Sequence, residues 1–383
     1  MMEYITEKQQ IYIKEHLKEN ISLLASLGKI PAPSHQEDAR ADFVKKWLEA
    51  AGAAHVYIDS AKNVIYPVNI TDETEDIVVI MAHMDIVFPD TQPLPLYISD
   101  GKMFAPGIGD DTANLVQLLM CVKYMIQNNM KAKCGVLFVA NACEEGLGNL
   151  EGTKAVMEAF KGRIREFISF DGYTGGVTAR AVGSQRYKVT VKTEGGHSYG
   201  KFGNKNAIYY LSSMIKDLYT KEVPKTEKTT YNVGTIQGGT TVNSIAQEAT
   251  MLYEFRSVDR DCLKEMEDFF YSVIEMYRHM GIAVEVEVKG IRPCNGDVNA
   301  ASLEAFTKAN LDMISYFTGE TWMPGDGSTD ANIPLSMGIL ANTFGTIRGG
   351  GAHTREEWVN LDSVEEGFCI AMAAVNRYFE EKL

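Results

Sequence analysis

The sequence contains no C-x-x-C pair, and its six cysteines are scattered between positions 121 and 369. That spacing favours reduced thiols in a cytoplasmic protein over a disulfide scaffold. The sequence also lacks an apolar run near the ~20 residues that cross a bilayer, and its N-terminus has no signal-peptide core. The sequence has only 37 Lys and Arg residues but 51 Asp and Glu residues, which gives a formal net charge of −14. We therefore expect neither a membrane nor a nucleic acid as a partner.

Two common catalytic patterns are also missing. H-E-x-x-H, the usual pattern of mononuclear zinc proteases, does not occur in the sequence. Gly107-x-Gly109 and Gly146-x-Gly148 each lack the third glycine of a dinucleotide fingerprint, and the acidic pairs beside them would repel a pyrophosphate. These absences argue against a dinucleotide cofactor.

The length and the apolar pattern predict two α/β domains. A chain of 383 residues exceeds one ordinary core. The apolar runs Asp76–Ala82, Gly135–Ala142 and Phe167–Phe170 indicate strands buried on both faces, and helical segments alternate with them. This alternation predicts a mostly parallel sheet with helices on both faces, formed by residues 1–180 and 294–383.

Residues 181–293 have a different pattern. Gln185–Thr193 and Ala283–Lys289 alternate polar and apolar residues, as strands with one solvated face do. The predicted order of strands and helices in this part is βαββαβ, the ferredoxin-like arrangement. We therefore predict a ferredoxin-like domain inserted into the larger α/β domain.

Metal-binding side chains follow most of the predicted buried strands. Carboxylate and imidazole groups in such positions are costly to desolvate unless a positive charge compensates them. Functional groups also collect at the carboxyl ends of strands in α/β sheets. The segments concerned are His83-Met84-Asp85, Asp110-Asp111, Glu144-Glu145, Asp171, His197 and His353.

The donor types indicate which ions and roles to expect. Oxygen and imidazole ligands without cysteine suit Zn²⁺, Mn²⁺ or Co²⁺ in a hydrolytic site. His83 and Asp85 point the same way in a strand, so Asp85 can orient the imidazole. The Glu144-Glu145 pair divides into a metal ligand and a carboxylate that can serve as general base. Each signal alone has an ordinary explanation, such as a solvated pair, a core histidine or, for Asp110, the N-cap of the following helix.

The order of these motifs resembles that of a known enzyme family, the dinuclear zinc exopeptidases and deacylases. That family includes peptidase T, carboxypeptidase G, aminoacylase and succinyl-diaminopimelate desuccinylase. The resemblance covers nearly the whole chain and includes an inserted lid domain. The matching motifs are His83-Met84-Asp85, Gly107-Ile108-Gly109-Asp110-Asp111, Glu144-Glu145-Gly146, Asp171-Gly172, Gly196-His197-Ser198 and Ala352-His353-Thr354.

The resemblance implies a set of metal ligands. Asp110 would bridge two divalent metal ions, with His83 and Asp171 completing one site. Glu145 and His353 would complete the other. The ions would be zinc, with manganese and cobalt as alternatives. The peptide bond that follows Asp110 would be cis.

The resemblance also implies groups for proton transfer and substrate binding. Glu144 would be the general base, and Asp85 would orient His83. The lid would mediate a homodimer and would supply His197, which in relatives reaches the substrate's carbonyl oxygen, often in the site of the partner subunit. Further contacts with the substrate would come from Asn243, Arg256, Ser328 and Thr329.

Two residues leave the specificity open. The guanidinium of Arg256 suits a substrate carboxylate, but it equally suits an ion pair at the end of its strand. Thr112 stands where the family usually has Lys, two residues after the bridging aspartate, so the motifs do not assign a subfamily.

The motifs as a set predict a metal-dependent amidohydrolase. The expected substrate is a small peptide, cleaved by an aminopeptidase of the di- or tripeptidase kind that is nearest to peptidase T. The alternative is an N-acyl-amino-acid deacylase or a carboxypeptidase on the same scaffold. A non-catalytic binding protein that kept the fold is a rival from another class, and the complete ligand set together with Glu144 counts against it.

Overall fold

The computed structural model describes residues 4–146 and 148–380. Residues 1–3, 147 and 381–383, which the sequence assigned to the first domain, lie outside this range. Contacts between residues divide the chain into two units. The first unit contains the chain up to Arg180 and again from Gly296, and the second unit contains Ala181–Asn295.

The helices begin at polar caps in several cases. The side chains of Asn206, Asp259 and Asn299 accept hydrogen bonds from the first turns of the helices that follow them. None of the helices in the described part of the chain combines the length and apolar character that a membrane span requires. The helices are α1 (Glu7–Leu27), α2 (Asp38–Ala50), α3 (Asn114–Gln127), α4 (Glu151–Ala159), α5 (Ala207–Leu218), α6 (Arg260–His279), α7 (Ala300–Thr318), α8 (Asn332–Ser336) and α9 (Val364–Asn376).

The strands range from two-residue pairs to ten-residue ribbons. They are β1 (Tyr57–Ile58), β2 (Val64–Val68), β3 (Ile77–His83), β4 (Tyr97–Ser99), β5 (Lys102–Phe104), β6 (Lys131–Ala132), β7 (Gly135–Asn141), β8 (Ile164–Phe170), β9 (Val177–Ala181), β10 (Gly183–Lys192), β11 (Gly196–His197), β12 (Thr229–Gly238), β13 (Ser244–Ile245), β14 (Glu248–Ser257), β15 (Ala283–Arg292), β16 (Pro324–Gly327), β17 (Leu340–Phe344), β18 (Gly349–Gly350), β19 (Trp358–Asn360) and β20 (Phe379–Glu380).

The first unit is built around one sheet with the strand order β1-β2-β7-β3-β8-β17-β9-β16. The four central strands, β7, β3, β8 and β17, are parallel, and β1, β2 and β9 pair antiparallel at the sides. Every residue of β3 and β7 is buried, because both faces of these strands are covered. Among the helices, α9 contacts α1, α3 and α7. The predicted α/β class with a mostly parallel sheet is confirmed.

The course of the chain changes direction at the centre of this sheet. After β3, the chain forms β7 on one side of it and then β8 on the other side. In parallel α/β sheets, ligands bind outside the carboxyl ends of the strands at such a change of direction. The carboxyl ends of β3, β7 and β8 are therefore the expected position of a functional site.

The second unit has its own sheet and its own core. Its sheet is antiparallel with the strand order β12-β14-β10-β15. Helices α5 and α6 contact this sheet and each other. The order along the chain is β10, α5, β12, β14, α6 and β15, with the short pair β11 and β13 beside it. The buried apolar residues of this unit form a cluster separate from that of the first unit.

Candidate metal centre

The carboxyl ends of three parallel strands carry predicted metal-binding residues. His83 is the last residue of β3, and Asp171 directly follows β8. The turn after β7 contains Glu144 and Glu145, which are buried. Because His83 pairs in register with Asn141 of β7, these strand ends lie side by side.

Asp110 lies between two histidines. Its Oδ1 is 3.1 Å from His83 Nε2, and its Oδ2 is 3.3 Å from His353 Nε2. Each of these imidazole nitrogens approaches one further carboxylate. Asp171 Oδ1 lies 3.8 Å from His83, and Glu145 Oε2 lies 3.4 Å from His353. The five predicted ligands therefore form two groups that share Asp110.

The geometry of these groups fits divalent metal ions. In a tetrahedral zinc site, bonds of about 2.0–2.3 Å place neighbouring ligand atoms about 3.3–3.8 Å apart. The four distances given above lie between 3.1 and 3.8 Å. Oε1 of Glu145 is buried without a hydrogen-bond partner, as expected of an oxygen that a cation would satisfy. Imidazole nitrogen and carboxylate oxygen are also the donors that hydrolytic metal sites use.

The charges of the centre favour a cation as well. Burial and the negative charge of Asp110 raise the pKa of Asp171 to about 7. Hydrogen bonds with Asp110 and Glu145 raise the pKa of His353 to about 10. Without a cation, only protons can neutralise these largely buried carboxylates. A divalent ion would replace the protons and leave the histidines neutral, as metal ligands must be.

Asp111 belongs to the same cluster but has another role. One of its ligand atoms lies within 4.8 Å of those of His83 and Asp171. However, Asp111 Oδ2 accepts a hydrogen bond from the main-chain N–H of His83 at 2.9 Å, and Oδ1 accepts one from Asn114 Nδ2 at 2.6 Å. Both oxygens therefore hold the end of β3 to the start of α3. The peptide bond between Asp110 and Asp111 is cis, as the resemblance implied.

Asp110 does not cap the following helix, which was the ordinary explanation of this residue taken alone. Helix α3 begins at Asn114, its N-cap is Ala113, and no side chain caps it. Asp110 lies instead in the turn Ile108–Ala113, where Asp110 and Asp111 have non-helical φ and ψ angles. The two oxygens of Asp110 face the histidines, so neither is available to cap the helix.

Asp85 connects the end of β3 with the turn after β7. His83 Nδ1 is 3.0 Å from the carbonyl oxygen of Asp85 and 3.4 Å from its carboxylate, so the carbonyl is the nearer partner of the imidazole. The carboxylate accepts hydrogen bonds from the main-chain N–H groups of Glu144 and Glu145 at 2.9 and 3.0 Å. Ser34 Oγ donates a third hydrogen bond at 2.7 Å. One buried carboxylate thus fixes the backbone of both glutamates.

Glu357 is a buried carboxylate that the sequence pattern did not reveal. Its Oε1 accepts hydrogen bonds from the N–H groups of Gly109 and Asp110 at 2.9 and 2.7 Å, and its Oε2 accepts one from Gly107 at 2.7 Å. The hydroxyl of Tyr173 donates to Oε1 at 3.0 Å. Burial raises the pKa of Glu357 to about 7. Glu357 therefore holds the loop that carries Asp110, and its sequence signal was no more than an acidic pair before β19.

The chain matches Peptidase family M20/M25/M40 over residues 79–377. The chain belongs to this family. It is 21% identical to a probable succinyl-diaminopimelate desuccinylase of Staphylococcus aureus (strain MSSA476), over 95% of this chain and 98% of that protein. The fold is similar to that of a tripeptidase from Staphylococcus aureus subsp. aureus Mu50, with a TM-score of 0.73, 20% identity and coverage of 94% and 99% of the two chains. It is also similar to an M20 family metallo-carboxypeptidase from Sulfolobus solfataricus, with a TM-score of 0.74, 15% identity and coverage of 94% and 99%.

Family membership confirms the resemblance and the prediction of an enzyme. Members of this peptidase family hydrolyse amide bonds with the help of divalent metal ions, so the protein is a metal-dependent hydrolase. The ligand groups around Asp110 provide the peptidase with residues suited to such ions.

Arg40 lies beside Thr112, the position where lysine was expected. The buried guanidinium donates from Nη1 to Thr112 Oγ1 at 3.2 Å and to the carbonyl oxygen of Met84 at 2.7 Å. Its Nη2 donates to the carbonyl oxygens of Leu27 and Ile30 at 3.2 and 2.6 Å. The peptidase therefore has a positive charge beside the loop of the centre although Thr112 itself is neutral.

A cavity of about 290 Å³ lies beside Asp171. Thr329, which was predicted to bind substrate, lines this cavity and is hydrogen-bonded to Thr343 at 2.8 Å between hydroxyl oxygens. Glycines of the segment Gly172–Gly176 contribute main chain to the wall. Ser328 was predicted together with Thr329, but it is not among the residues that line the cavity.

In the second unit of the peptidase, His197 and Asn243 lie close together. Strand β11 ends at His197 and pairs with β13, which begins directly after Asn243. The N–H of Ser198 donates to the carbonyl oxygen of Asn243 at 3.0 Å. His197 is exposed, and its Nδ1 accepts hydrogen bonds from the N–H groups of Tyr199 and Gly200 at 3.3 Å. The neutral ring therefore carries its proton on Nε2, which becomes a donor.

Arg256 forms an ion pair within its own strand. Its Nε donates to Oε1 of Glu254 and its Nη2 donates to Oε2, each at 3.0 Å. This is the alternative that the sequence left open for Arg256. The ion pair occupies the two parallel donors that would otherwise suit a substrate carboxylate.

Proposed function

We propose that the peptidase binds two divalent metal ions and removes the N-terminal residue from di- or tripeptides. His83 and Asp171 would hold one ion, Glu145 and His353 would hold the other, and Asp110 would be a ligand of both. The support for two ions is that each oxygen of Asp110 faces a different histidine. Zn²⁺ suits these donors, with Mn²⁺ and Co²⁺ as alternatives.

The proposed chemistry assigns one proton transfer and one oxyanion contact to side chains. When bound, divalent ions act as Lewis acids that polarise the scissile carbonyl and lower the pKa of water. Glu144 takes the proton from the attacking water and passes it to the leaving amine. Asp85 holds the N–H of Glu144 and so positions this base. His197 donates from Nε2 to the carbonyl oxygen as negative charge develops there.

The wall of the cavity beside Asp171 is the observation that favours a peptide with a free amino group. Beside Asp171 this wall has glycine main chain and the hydroxyls of Thr329 and Thr343, and apolar side chains such as Val177, Met323 and Phe344 line the rest. Carboxylate and carbonyl oxygens accept hydrogen bonds from an ammonium group, whereas an acyl chain requires apolar surface. The likeness to the tripeptidase fold supports the same substrate class.

Two other activities are the competing candidates. The curated relative is called a desuccinylase, which favours removal of an acyl group from an amino acid. The metallo-carboxypeptidase with a similar fold favours cleavage at the other end of a peptide. These activities differ from the proposed one in which end of the substrate must be free.

One assay separates the three activities. Protein reconstituted with Zn²⁺ or Mn²⁺ is given a tripeptide, its N-acetylated form and its C-terminally amidated form. An aminopeptidase is expected to lose at least about tenfold in kcat/KM on acetylation and little on amidation, because the amino-end contacts are lost. Glu144→Gln serves as the control that assigns the activity to this chain. Faster hydrolysis of the acetylated peptide, or a loss confined to the amidated one, contradicts the proposal.

We also propose that the peptidase is a homodimer joined through its second unit. Tyr199 and Phe202 are 91% and 92% exposed, and Val242 is 100% exposed. These apolar side chains lie in the segments around His197 and Asn243, and a patch of exposed apolar side chains is typical of a protein–protein contact. Analytical ultracentrifugation should give twice the chain mass, and Phe202→Glu combined with Val242→Glu should give the chain mass. A wild-type monomer contradicts the proposal.

A cytoplasmic location is proposed as well. All six cysteines are free thiols. Reducing compartments keep thiols in this state. Recovery of the protein from the membrane or secreted fraction of cells would contradict this location.

A further inference from the structure

A second group of metal-binding side chains lies next to the turn that carries Glu144. Donor atoms of His35, Cys143 and Glu151 lie within 4.8 Å of one another, Glu37 contacts Cys143, and all four residues are in the first unit. We call these four residues the thiol cluster. None of them is a proposed ligand of the hydrolytic centre, and Cys143 directly precedes Glu144 in the chain.

The donor atoms of the thiol cluster have the spacing of a tetrahedral zinc site. His35 Nδ1 is 3.4 Å from Cys143 Sγ and 3.8 Å from Glu151 Oε2. Glu37 Oε1 is 3.3 Å from Cys143 Sγ. Bonds of about 2.1 Å to nitrogen or oxygen and about 2.3 Å to sulfur give ligand separations of about 3.3–3.8 Å. These three separations, of the six that four ligands define, have the lengths that one tetrahedral ion requires.

Glu37 provides an independent sign that a positive charge would be favourable beside Cys143. Its side chain is fully buried. Its Oε1 accepts hydrogen bonds from the N–H groups of His35 and Cys143 at 2.9 and 3.1 Å. Its Oε2 is buried and has no hydrogen-bond partner. A buried carboxylate oxygen without a partner is costly, and a bound cation would remove that cost.

The thiol cluster is open to solvent on one side. The side chains of His35 and Glu151 are 49% and 56% exposed, whereas Cys143 and Glu37 are buried. In the absence of a cation, burial raises the pKa of the Cys143 thiol, which donates to Glu37 Oε1. An ion arriving from solvent therefore meets His35 and Glu151 first and the sulfur last.

We propose that the thiol cluster binds one Zn²⁺ ion through Cys143 Sγ, His35 Nδ1 and one oxygen each of Glu37 and Glu151. As the zinc–sulfur bond forms, the thiol proton is released to solvent, so the ligand is a thiolate. The site is additional to the hydrolytic centre and does not rest on the proposed function. Because Glu37 and the ion both hold Cys143, binding of the ion to the thiol cluster fixes the start of the turn that carries Glu144.

A titration with Co²⁺, which replaces Zn²⁺ and absorbs light, tests this site. The hydrolytic centre has no sulfur ligand, so a thiolate-to-Co²⁺ charge-transfer band reports the thiol cluster alone. The wild-type protein is expected to show the band, and added Zn²⁺ is expected to abolish it. Cys143→Ser is expected to lose the band, and the control Cys369→Ser, at a partly exposed thiol outside both sites, is expected to keep it.

Two further variants keep the test valid if Cys143→Ser folds poorly. His35→Asn and Glu151→Gln change partly exposed side chains, and each is expected to weaken the Co²⁺ affinity read from the band by about tenfold or more. Absence of the band at saturating Co²⁺, its survival in Cys143→Ser, or equal affinity in wild type, His35→Asn and Glu151→Gln overturns the proposal. His83→Ala separates the two sites, because it should impair the hydrolytic centre and leave the band intact.

Discussion

The carboxylate of Glu357 accepts a hydrogen bond from the main-chain N–H of Asp110 at 2.7 Å, although the two residues are 247 positions apart in the sequence. The same carboxylate accepts hydrogen bonds from two further N–H groups of the loop that carries Asp110. A segment late in the chain therefore sets the orientation of the aspartate that both histidines share. Residues of this kind tune a metal site through its ligands.

Glu357→Gln is expected to weaken metal binding by about 10- to 100-fold without unfolding the protein. The amide keeps one acceptor oxygen. Its NH₂ group then faces an N–H of the loop, from which it cannot accept a hydrogen bond. Metal affinity is measured by competition with a chromophoric chelator. The exposed neighbour Glu356 supplies the control Glu356→Gln. Equal affinities of the two variants would contradict the positioning role of Glu357.

Glu144→Gln and Glu145→Gln are expected to differ in what they lose. Glu144→Gln should retain metal and lose at least about 100-fold in kcat, because a general base contributes about 10²–10⁴-fold. Glu145→Gln should lose metal, since it removes a proposed ligand. Metal content by atomic emission is measured beside kcat for both variants. Activity of Glu144→Gln within a few-fold of wild type would remove Glu144 from the mechanism.

Asp85→Asn is expected to reduce both metal affinity and kcat. The two oxygens of the carboxylate accept one hydrogen bond each, from the N–H groups of Glu144 and Glu145. An amide has one acceptor oxygen and can keep only one of these hydrogen bonds. We expect about a 10- to 100-fold loss of metal affinity. Asp42→Asn, at an exposed position of α2, is the matched control. A variant that lost turnover at full metal affinity would show that Asp85 acts on the base alone.

Arg40→Met is expected to destabilise the first unit by at least about 3 kcal/mol. The substitution removes the side-chain donor of the carbonyl oxygens of Ile30 and Met84, and it leaves that of Leu27 with only the N–H of Ile30. The free energy of unfolding is measured in urea with metal present. Lys46→Met removes a positive charge from an exposed position of the same helix, and it should change stability by less than about 0.5 kcal/mol. Similar effects of both substitutions would mean that charge, rather than the buried hydrogen bonds, matters.

The sheet and the positions of three proposed ligands were predictable from the sequence for one physical reason. Strands covered on both faces are continuous apolar runs, so the ends of β3, β7 and β8 are visible in the sequence. His83, Glu145 and Asp171 lie within a few residues of those ends. The parallel register then brings them together, which made their proximity predictable.

The residues that support the site were not predictable in this way. Glu357 and Arg40 act through contacts that are distant in the sequence, and neither stands in a local pattern that differs from an ordinary surface residue. The ordinary explanation of Asp110 as an N-cap does not hold, because both of its oxygens contact distant histidines. Tertiary contacts of this kind override local capping preferences.

The sharing of Asp110 has a consequence for how metal titrations of this protein are interpreted. In the proposed centre, the first ion reduces the repulsion among the carboxylates, and the second ion then meets a positively charged neighbour. Each ion therefore changes the affinity for the other, and the factor is the same in both directions. The two measured constants belong to the pair, as coupled titrations do, and neither can be assigned to the His83 side or the His353 side alone.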